Sequence, residues 1–282
     1  MNSSPLIDFQ RVTYTYPRAG QKQPQDQPAL DGISLQIQDG EYLAILGHNG
    51  SGKSTLARHC NALLAPDRGR VLVDGLDTRD TALQRRVRDT VGMIFQHPDN
   101  QIIATIVEDD VAWALSVRGL PASLIVERVN DALEAVGLAH LREQSPQRLS
   151  GGQRQRLAIA GVLALRPRCI IADEATAQLD PLSRQEMILL LHRLHRDYGL
   201  TIIHVTHLLE EAVQAERIVV MQRGRVIMQG APTSIFSDLE RLRALKLAVP
   251  EPLELAARLR AAGLPIAPSA LTAEELAREL AL

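Results

Sequence analysis

Only two cysteines occur in the 282 residues, Cys60 and Cys169, far apart and each inside an apolar run. That spacing excludes a disulfide framework and a cysteine-built metal site, and it predicts two buried thiols in a reducing compartment. Excess charge is missing as well: 31 Lys and Arg against 33 Asp and Glu leave a net charge of −2. No nucleic acid is expected as a partner, since bulk electrostatics would hold the chain neither to it nor to an anionic membrane, although local basic patches stay open. No apolar run is long enough to span a bilayer, and no signal-peptide pattern opens the sequence. Any membrane role is therefore expected to pass through a partner. Long-period repeats are absent too, and the length suits one large α/β domain with a small appendage, or two modest domains.

What is present begins with Ala44-Ile45-Leu46, a short apolar run, followed by Gly47-His48-Asn49-Gly50-Ser51-Gly52-Lys53-Ser54-Thr55. A strand, a glycine-rich turn and a helix start in that order form the phosphate-binding pattern G-x-x-x-x-G-K-[ST]. The glycines let backbone N–H groups turn inward, and the helix adds positive potential at its first turn. Lys53 offers an ammonium to the β- and γ-phosphates, Ser54 a hydroxyl to a bridging Mg²⁺, and Thr55 a further phosphate contact. A nucleoside triphosphate is the expected ligand.

Alternation and apolar runs predict strands at Leu6 to Tyr16, Ile33 to Ile37, Tyr42 to Leu46, Arg70 to Asp74, Val91 to Phe95, Cys169 to Ala172 and Thr201 to Val205. A hairpin is expected from Ile218 to Met228 around Arg223-Gly224. Helices are expected from Lys53 to Leu64, Asp80 to Arg88, Thr105 to Val117, Ser123 to Val136, Ser150 to about Leu165 and Leu182 to Tyr198. Arg18 to Pro28, rich in Gln and Pro, reads as a mobile surface loop. Strands alternating with helices argue for a parallel sheet covered on both faces. The residues after about Ala231 read as helices broken by Pro250, Pro252, Pro265 and Pro268.

Two further segments carry chemistry. Cys169 to Ala172 ends in Asp173-Glu174, at the carboxyl end of a buried parallel strand, where open α/β sheets place their ligands. Asp173 is suited to hold Mg²⁺, through water, and Glu174 to polarise the water that attacks the γ-phosphate. Leu149-Ser150-Gly151-Gly152-Gln153 reads as an N-cap and a second anion-seeking helix start. It stands at the tip of the helical insertion, so one nucleotide cannot easily reach both it and Lys53 within one chain.

Taken together, these segments resemble the ATP-binding cassette (ABC) family over residues 5 to 230, with a helical subdomain at about 97 to 165. The fold this implies is α/β: a RecA-like P-loop core with an antiparallel β subdomain, a helical subdomain and a small C-terminal helical extension from 231 to 282. The resemblance gives Ser150 to Gln153 the role of capping a γ-phosphate bound by a partner subunit. It matches Gln96 to the glutamine that touches Mg²⁺ and senses the transport partner, His207 to the switch histidine that reaches the γ-phosphate, and Asp180, in Ala177-Gln178-Leu179-Asp180, to an aspartate joining two subunits. Tyr16 is either the ring that stacks on adenine or a plain strand tyrosine. His192, His195 and His204 read as ordinary helix, strand or surface histidines.

Within that family, Gln96-His97-Pro98-Asp99-Asn100-Gln101, Gly47-His48-Asn49-Gly50, Val107 to Ala112 and Ala158 to Gly161 resemble energy-coupling factor (ECF) transporter ATPases. The tail, Glu254 to Leu259 and Leu271 to Leu276, resembles their dimerising extension; a self-packing cap is the other reading. The implied activity is ATP hydrolysis with Mg²⁺, coupled to uptake of a vitamin or a transition-metal ion. The implied partners are a second ATPase subunit, identical or paralogous, a transmembrane coupling subunit and a substrate-binding membrane subunit, with this chain peripheral on the cytoplasmic side and never touching the cargo. Rival readings are a conventional ABC transporter subunit, a soluble ABC protein, and a nucleotide switch without turnover. Against the soluble class, the sequence has no long coiled-coil insertion, no zinc-type cysteines and no second cassette.

Overall fold

The computed structural model describes residues 4–17, 27–267 and 270–281. Residues 18–26 of the expected surface loop, and Pro268, lie outside them. Ten strands are described: β1 (Ile7–Tyr14), β2 (Leu30–Ile37), β3 (Tyr42–Leu46), β4 (Arg68–Val73), β5 (Leu76–Asp77), β6 (Val91–Ile94), β7 (Cys169–Asp173), β8 (Thr201–Thr206), β9 (Arg217–Gln222) and β10 (Arg225–Gly230). The helices in chain order are α1 (Lys53–Cys60), α2 (Gln84–Thr90), α3 (Val107–Val117), α4 (Ala122–Ala135), α5 (Gly151–Leu163), α6 (Pro181–Tyr198), α7 (Leu209–Ala212), α8 (Pro232–Phe236), α9 (Leu239–Ala244), α10 (Glu251–Ala261) and α11 (Ala273–Leu280).

The main sheet has the order β10-β9-β3-β8-β7-β6. Strands β9, β3, β8, β7 and β6 run parallel, and only β10 returns antiparallel from its hairpin. A second, four-stranded antiparallel sheet has the order β2-β1-β4-β5. The apolar runs of the central strands are continuous because both faces of the main sheet are buried. Side chains then divide by the period of two: Tyr42, Ala44 and Leu46 of β3, with Ile170 and Ala172 of β7, enter the core under α3 to α6. Leu43 and Ile45, with Cys169 and Ile171, enter the other core, shared with α1 and the antiparallel sheet.

Several expected boundaries move by a few residues, β2 for example beginning at Leu30 rather than Ile33, and three of the shifts have a local reason. The strand expected to reach Tyr16 stops at Tyr14, because the Thr15 N–H leaves the ladder to bond Asp67 at 2.7 Å. The helix expected to reach Leu64 ends at Cys60, and Ala62 turns left-handed at φ 53°. The stretch expected to be helical from Asp80 starts at Gln84, because Asp80 first closes a turn onto the Ala82 N–H at 2.9 Å. Both cysteines are free and fully buried, and burial pushes each thiol well above its ordinary pKa. Beyond β10, Ile235, Phe236 and Leu242 of α8 and α9 pack into the main core, whereas Ala256, Ile266, Ala270 and Leu276 form a small cluster of their own.

Candidate functional site

Four loops converge because four neighbouring parallel strands end at one edge. In β3, β8 and β7 the last residues are in register, Leu46 beside Thr206 and Val205 beside Asp173, and Ile94 of β6 pairs with Ala172. The next residues out are Gly47, His207, Glu174 and, two beyond Ile94, Gln96. Open α/β sheets bind their ligands at this edge.

The glycine-rich turn needs its glycines for space as well as for dihedrals. Gly52, the residue before α1, sits at φ 104°, and a Cβ there would meet the Ala29 carbonyl oxygen at 2.5 Å. No side chain caps α1, so its first N–H groups are left for a ligand. Ser51 Oγ is buried in the same turn without a hydrogen-bond partner among the described residues, as a phosphate cradle requires. Lys53 folds back into the turn: Nζ donates to the Gly47 carbonyl at 2.8 Å and lies 3.5 Å from Glu174 Oε1. Burial pushes Lys53 below its ordinary pKa, and Glu174 and Asp173 oppose the shift.

Ser54 Oγ donates to Asp173 Oδ1 at 2.8 Å. Asp173 is buried, and desolvation raises its pKa against the lowering effect of Ser54 and Arg58. A carboxyl raised in the fold destabilises it above that pKa, and the penalty fades as pH falls through it. Asp173→Asn is therefore expected to unfold at a higher temperature than the unaltered chain at pH 7 without nucleotide or magnesium, with the gap closing on acidification. Equal midpoints in a pH series of thermal melts would contradict this.

Glu174 turns the chain off β7 at φ 50°, a left-handed conformation unusual for a non-glycine residue, held by its N–H bonding the Val205 carbonyl at 3.0 Å. Its carboxylate lies between Lys53 and His207, whose Nδ1 is 3.9 Å away. Gln96 lines the same cleft as Ser54, Asp173 and Glu174. Tyr16, half exposed, places Oη 3.2 Å from Thr55 Oγ1, at the rim of the glycine-rich turn. His48, Asn49 and Gly50 form its exposed crest.

Ser150 to Gln153 stand elsewhere, and none of them lines this cleft. Ser150 caps α5 in a capping box: its Oγ accepts from the Gln153 N–H at 3.2 Å, and Gln153 Oε1 accepts from the Ser150 N–H at 2.8 Å. Ser150 and Gly151 are exposed, and a Cβ on Gly152 would touch Ser183 Oγ at 3.1 Å, just past Asp180. Asp180 caps α6 by accepting from the Leu182 and Ser183 N–H groups. The glycine turn and the α5 start are thus separate surfaces of one chain.

Residues the motifs do not mark complete the frame. Arg58, one turn after Ser54 on α1, brings a second cation into the cleft; its i,i+4 spacing was the available signal. Gln101 pins the loop after β6 by accepting from the Phe95 N–H at 2.8 Å and donating to the Met93 carbonyl at 3.0 Å. Gln155 and Arg154 of α5 tie that loop to the helix, through the Phe95 carbonyl at 3.1 Å and Asp99 at 3.1 Å. A broader groove at the opposite strand ends, among Asp8, Arg11, Gln38 and Glu216, has a single glycine, Gly40, in its lining and so no glycine-rich turn among the described residues.

Residues 30–177 match the family described as ABC transporter. The sheet, the glycine turn and the carboxylate-ended strand thus define the class: an ABC transporter ATP-binding cassette. The chain is 52% identical over 280 residues to the energy-coupling factor transporter ATP-binding protein EcfA1 of Symbiobacterium thermophilum, covering 99% of this chain and 97% of that one. It is 46% identical to EcfA1 of Clostridium novyi over 98% of its length and 97% of that protein's. Among solved structures it resembles cbiO1 of Clostridium perfringens, part of the ABC transporter complex cbiONQ, with a TM-score of 0.77, 36% identity and coverage of 90% and 100%. A dimeric ATP-binding cassette bound to ADP and Pi aligns with a TM-score of 0.71 at 30% identity, over 80% of this chain and 98% of that one. The chain belongs to the energy-coupling factor transporter ATP-binding proteins.

Proposed function

We propose that two copies of this cassette, or this chain and a paralogue, close head to tail on ATP, each nucleotide held by the glycine turn of one chain and capped by the Ser150-Gly151-Gly152 helix start of the other. The observation that carries this reading is the separation of the two surfaces: the exposed α5 start contributes nothing to the cleft lined by Ser54, Asp173 and Glu174. The chain is the ATP-hydrolysing subunit of an ECF-type importer. Lys53, Ser51, Thr55 and the N–H groups of Gly47 to Gly52 hold the phosphates, and Tyr16 stacks on the base.

Mg²⁺ fits the donor set. Ser54, Gln96 and Asp173 offer the hard oxygen ligands this ion takes, with one buried carboxylate in need of a countercharge. When bound, the ion neutralises phosphate charge. Glu174 accepts the proton of the attacking water and His207 steadies the γ-phosphate oxygens.

Closure and opening move the loop after β6. Because Asp99 and Phe95 are tied to Arg154 and Gln155, that loop and the α5 start move as one body. A transmembrane coupling subunit seated on residues 96–101 converts the motion into transport, with the cargo held by a further membrane subunit. Among the described residues no helix is long and apolar enough to cross a membrane. In this reading the chain sits on the cytoplasmic face through those partners. The tail supports subunit pairing, since Leu255 and Leu280 are exposed beside the small α10–α11 core.

The test is reconstitution of the complex recovered from membranes. Asp99→Ala is expected to cut ATP-driven uptake about tenfold or more while basal ATPase stays within about twofold, as the loss of a positioning contact remote from the chemistry allows. Unchanged uptake would count against the coupling role of this loop.

A further inference from the structure

Behind the cleft lies a fully buried polar chain that the phosphate chemistry does not use. Glu211, on α7 and without solvent exposure, accepts at Oε1 from Thr176 Oγ1 at 2.7 Å. Its other oxygen lies 3.3 Å from His204 Nε2, at ion-pair distance but off the hydrogen-bond line. His204 Nδ1 is in turn 3.3 Å from Tyr42 Oη. Arg184 of α6 reaches Glu211 Oε1 at 3.7 Å and donates to the Leu179 carbonyl at 3.4 Å. Burial pushes the Glu211 carboxyl up, but His204, Thr206 and Thr176 outweigh it and hold it below its ordinary value.

These partners bracket the reacting groups. Thr176 is two residues past Glu174, on the segment that runs to Asp180, and Thr206 immediately precedes His207, with His204 two residues further back on β8. A buried ionic cluster is often no more stabilising than apolar residues of the same volume, so fold stability alone gives little reason for one here.

We propose that Glu211 is a positioning residue for ATP hydrolysis: it joins the Glu174–Asp180 segment to the end of β8, so that displacement of Leu179 and Asp180 by a partner chain carries Glu174 and His207 into place together. This rests on the two-chain reading above. Thr176 is the second member of the joint, and Arg184 its link to the segment's far end.

Thr176→Val removes the hydroxyl at constant shape, and Glu211→Gln removes the charge. In the full-length chain each is expected to lower kcat about tenfold or more, as a misplacement approaching 1 Å does. KM for ATP and nucleotide affinity should stay within about twofold, Thr176→Ser should restore kcat, and the double variant should be no worse than the poorer single one. A merely structural role would reduce the folded fraction and leave kcat per bound nucleotide unchanged, which would overturn the proposal. Glu174→Gln is the separate arm. Loss of turnover there with normal kcat in Thr176→Val and Glu211→Gln overturns the positioning role alone; normal turnover in all three removes Glu174 from its role as well, and a monomer in saturating ATP overturns the two-chain reading.

Discussion

Glu174→Gln is expected to bind ATP as tightly as the unaltered chain and to hydrolyse it about 10²- to 10⁴-fold more slowly, the contribution of a positioned general base. The substitution keeps the size and the left-handed backbone at φ 50°, so the loop off β7 should hold its course. It removes only the capacity to take a proton. With the water unactivated, the closed state should persist, and size-exclusion chromatography in ATP should show a nucleotide-bound dimer. Near-normal phosphate release would remove Glu174 from its role. A monomer in saturating ATP would contradict the capping of one chain's nucleotide by the other's Ser150 helix start.

Lys53→Ala should behave differently, losing binding and turnover together. Lys53 is 4% exposed, and its ammonium already spans the Gly47 carbonyl and the Glu174 carboxylate. Removing the ammonium from the charge pair it would form with a bound phosphate costs about 2–5 kcal/mol of binding. The lower figure corresponds to about a 30-fold weaker nucleotide affinity. Fluorescent ATP-analogue titration and phosphate release measure the two losses separately. Intact affinity would count against the phosphate assignment, and a loss of affinity with undiminished kcat at saturation would leave Lys53 a role in holding the nucleotide alone.

Much of this site was legible because its chemistry is local in sequence. The run from Gly47 to Thr55 specifies turn, helix start and ammonium within nine residues, and Tyr42 to Leu46 has the strand limits its composition predicts. Cys169 to Glu174 likewise announces an apolar strand ending in acid, and Ser150 to Gln153 spells its own capping box. Strand order was not legible, because nothing in β9 states that it pairs with β3 rather than with an outer strand. Glu211 illustrates the same limit. In sequence it is one of two adjacent glutamates between Leu208-Leu209 and Ala212-Val213; only the packing of α7 under β8 shows that Glu210 faces water while Glu211 is buried on Thr176. His204 read as an ordinary strand histidine, and its alternation places it in the sheet interior. Its carboxylate neighbour comes from beyond the strand, where periodicity carries no information.

The chain's exit from β7 places two unfavourable choices side by side: a carboxylate shut away from water at Asp173 and a side-chain-bearing residue twisted left-handed at Glu174. Glycine would take the second conformation without steric penalty, and an amide would occupy the first position without a net charge. Selection for heat resistance alone, with no demand for catalysis, would therefore be drawn to these two codons early and would enrich sturdy, inert proteins. Any programme to toughen this subunit has to hold both positions fixed and look for its gains elsewhere in the molecule.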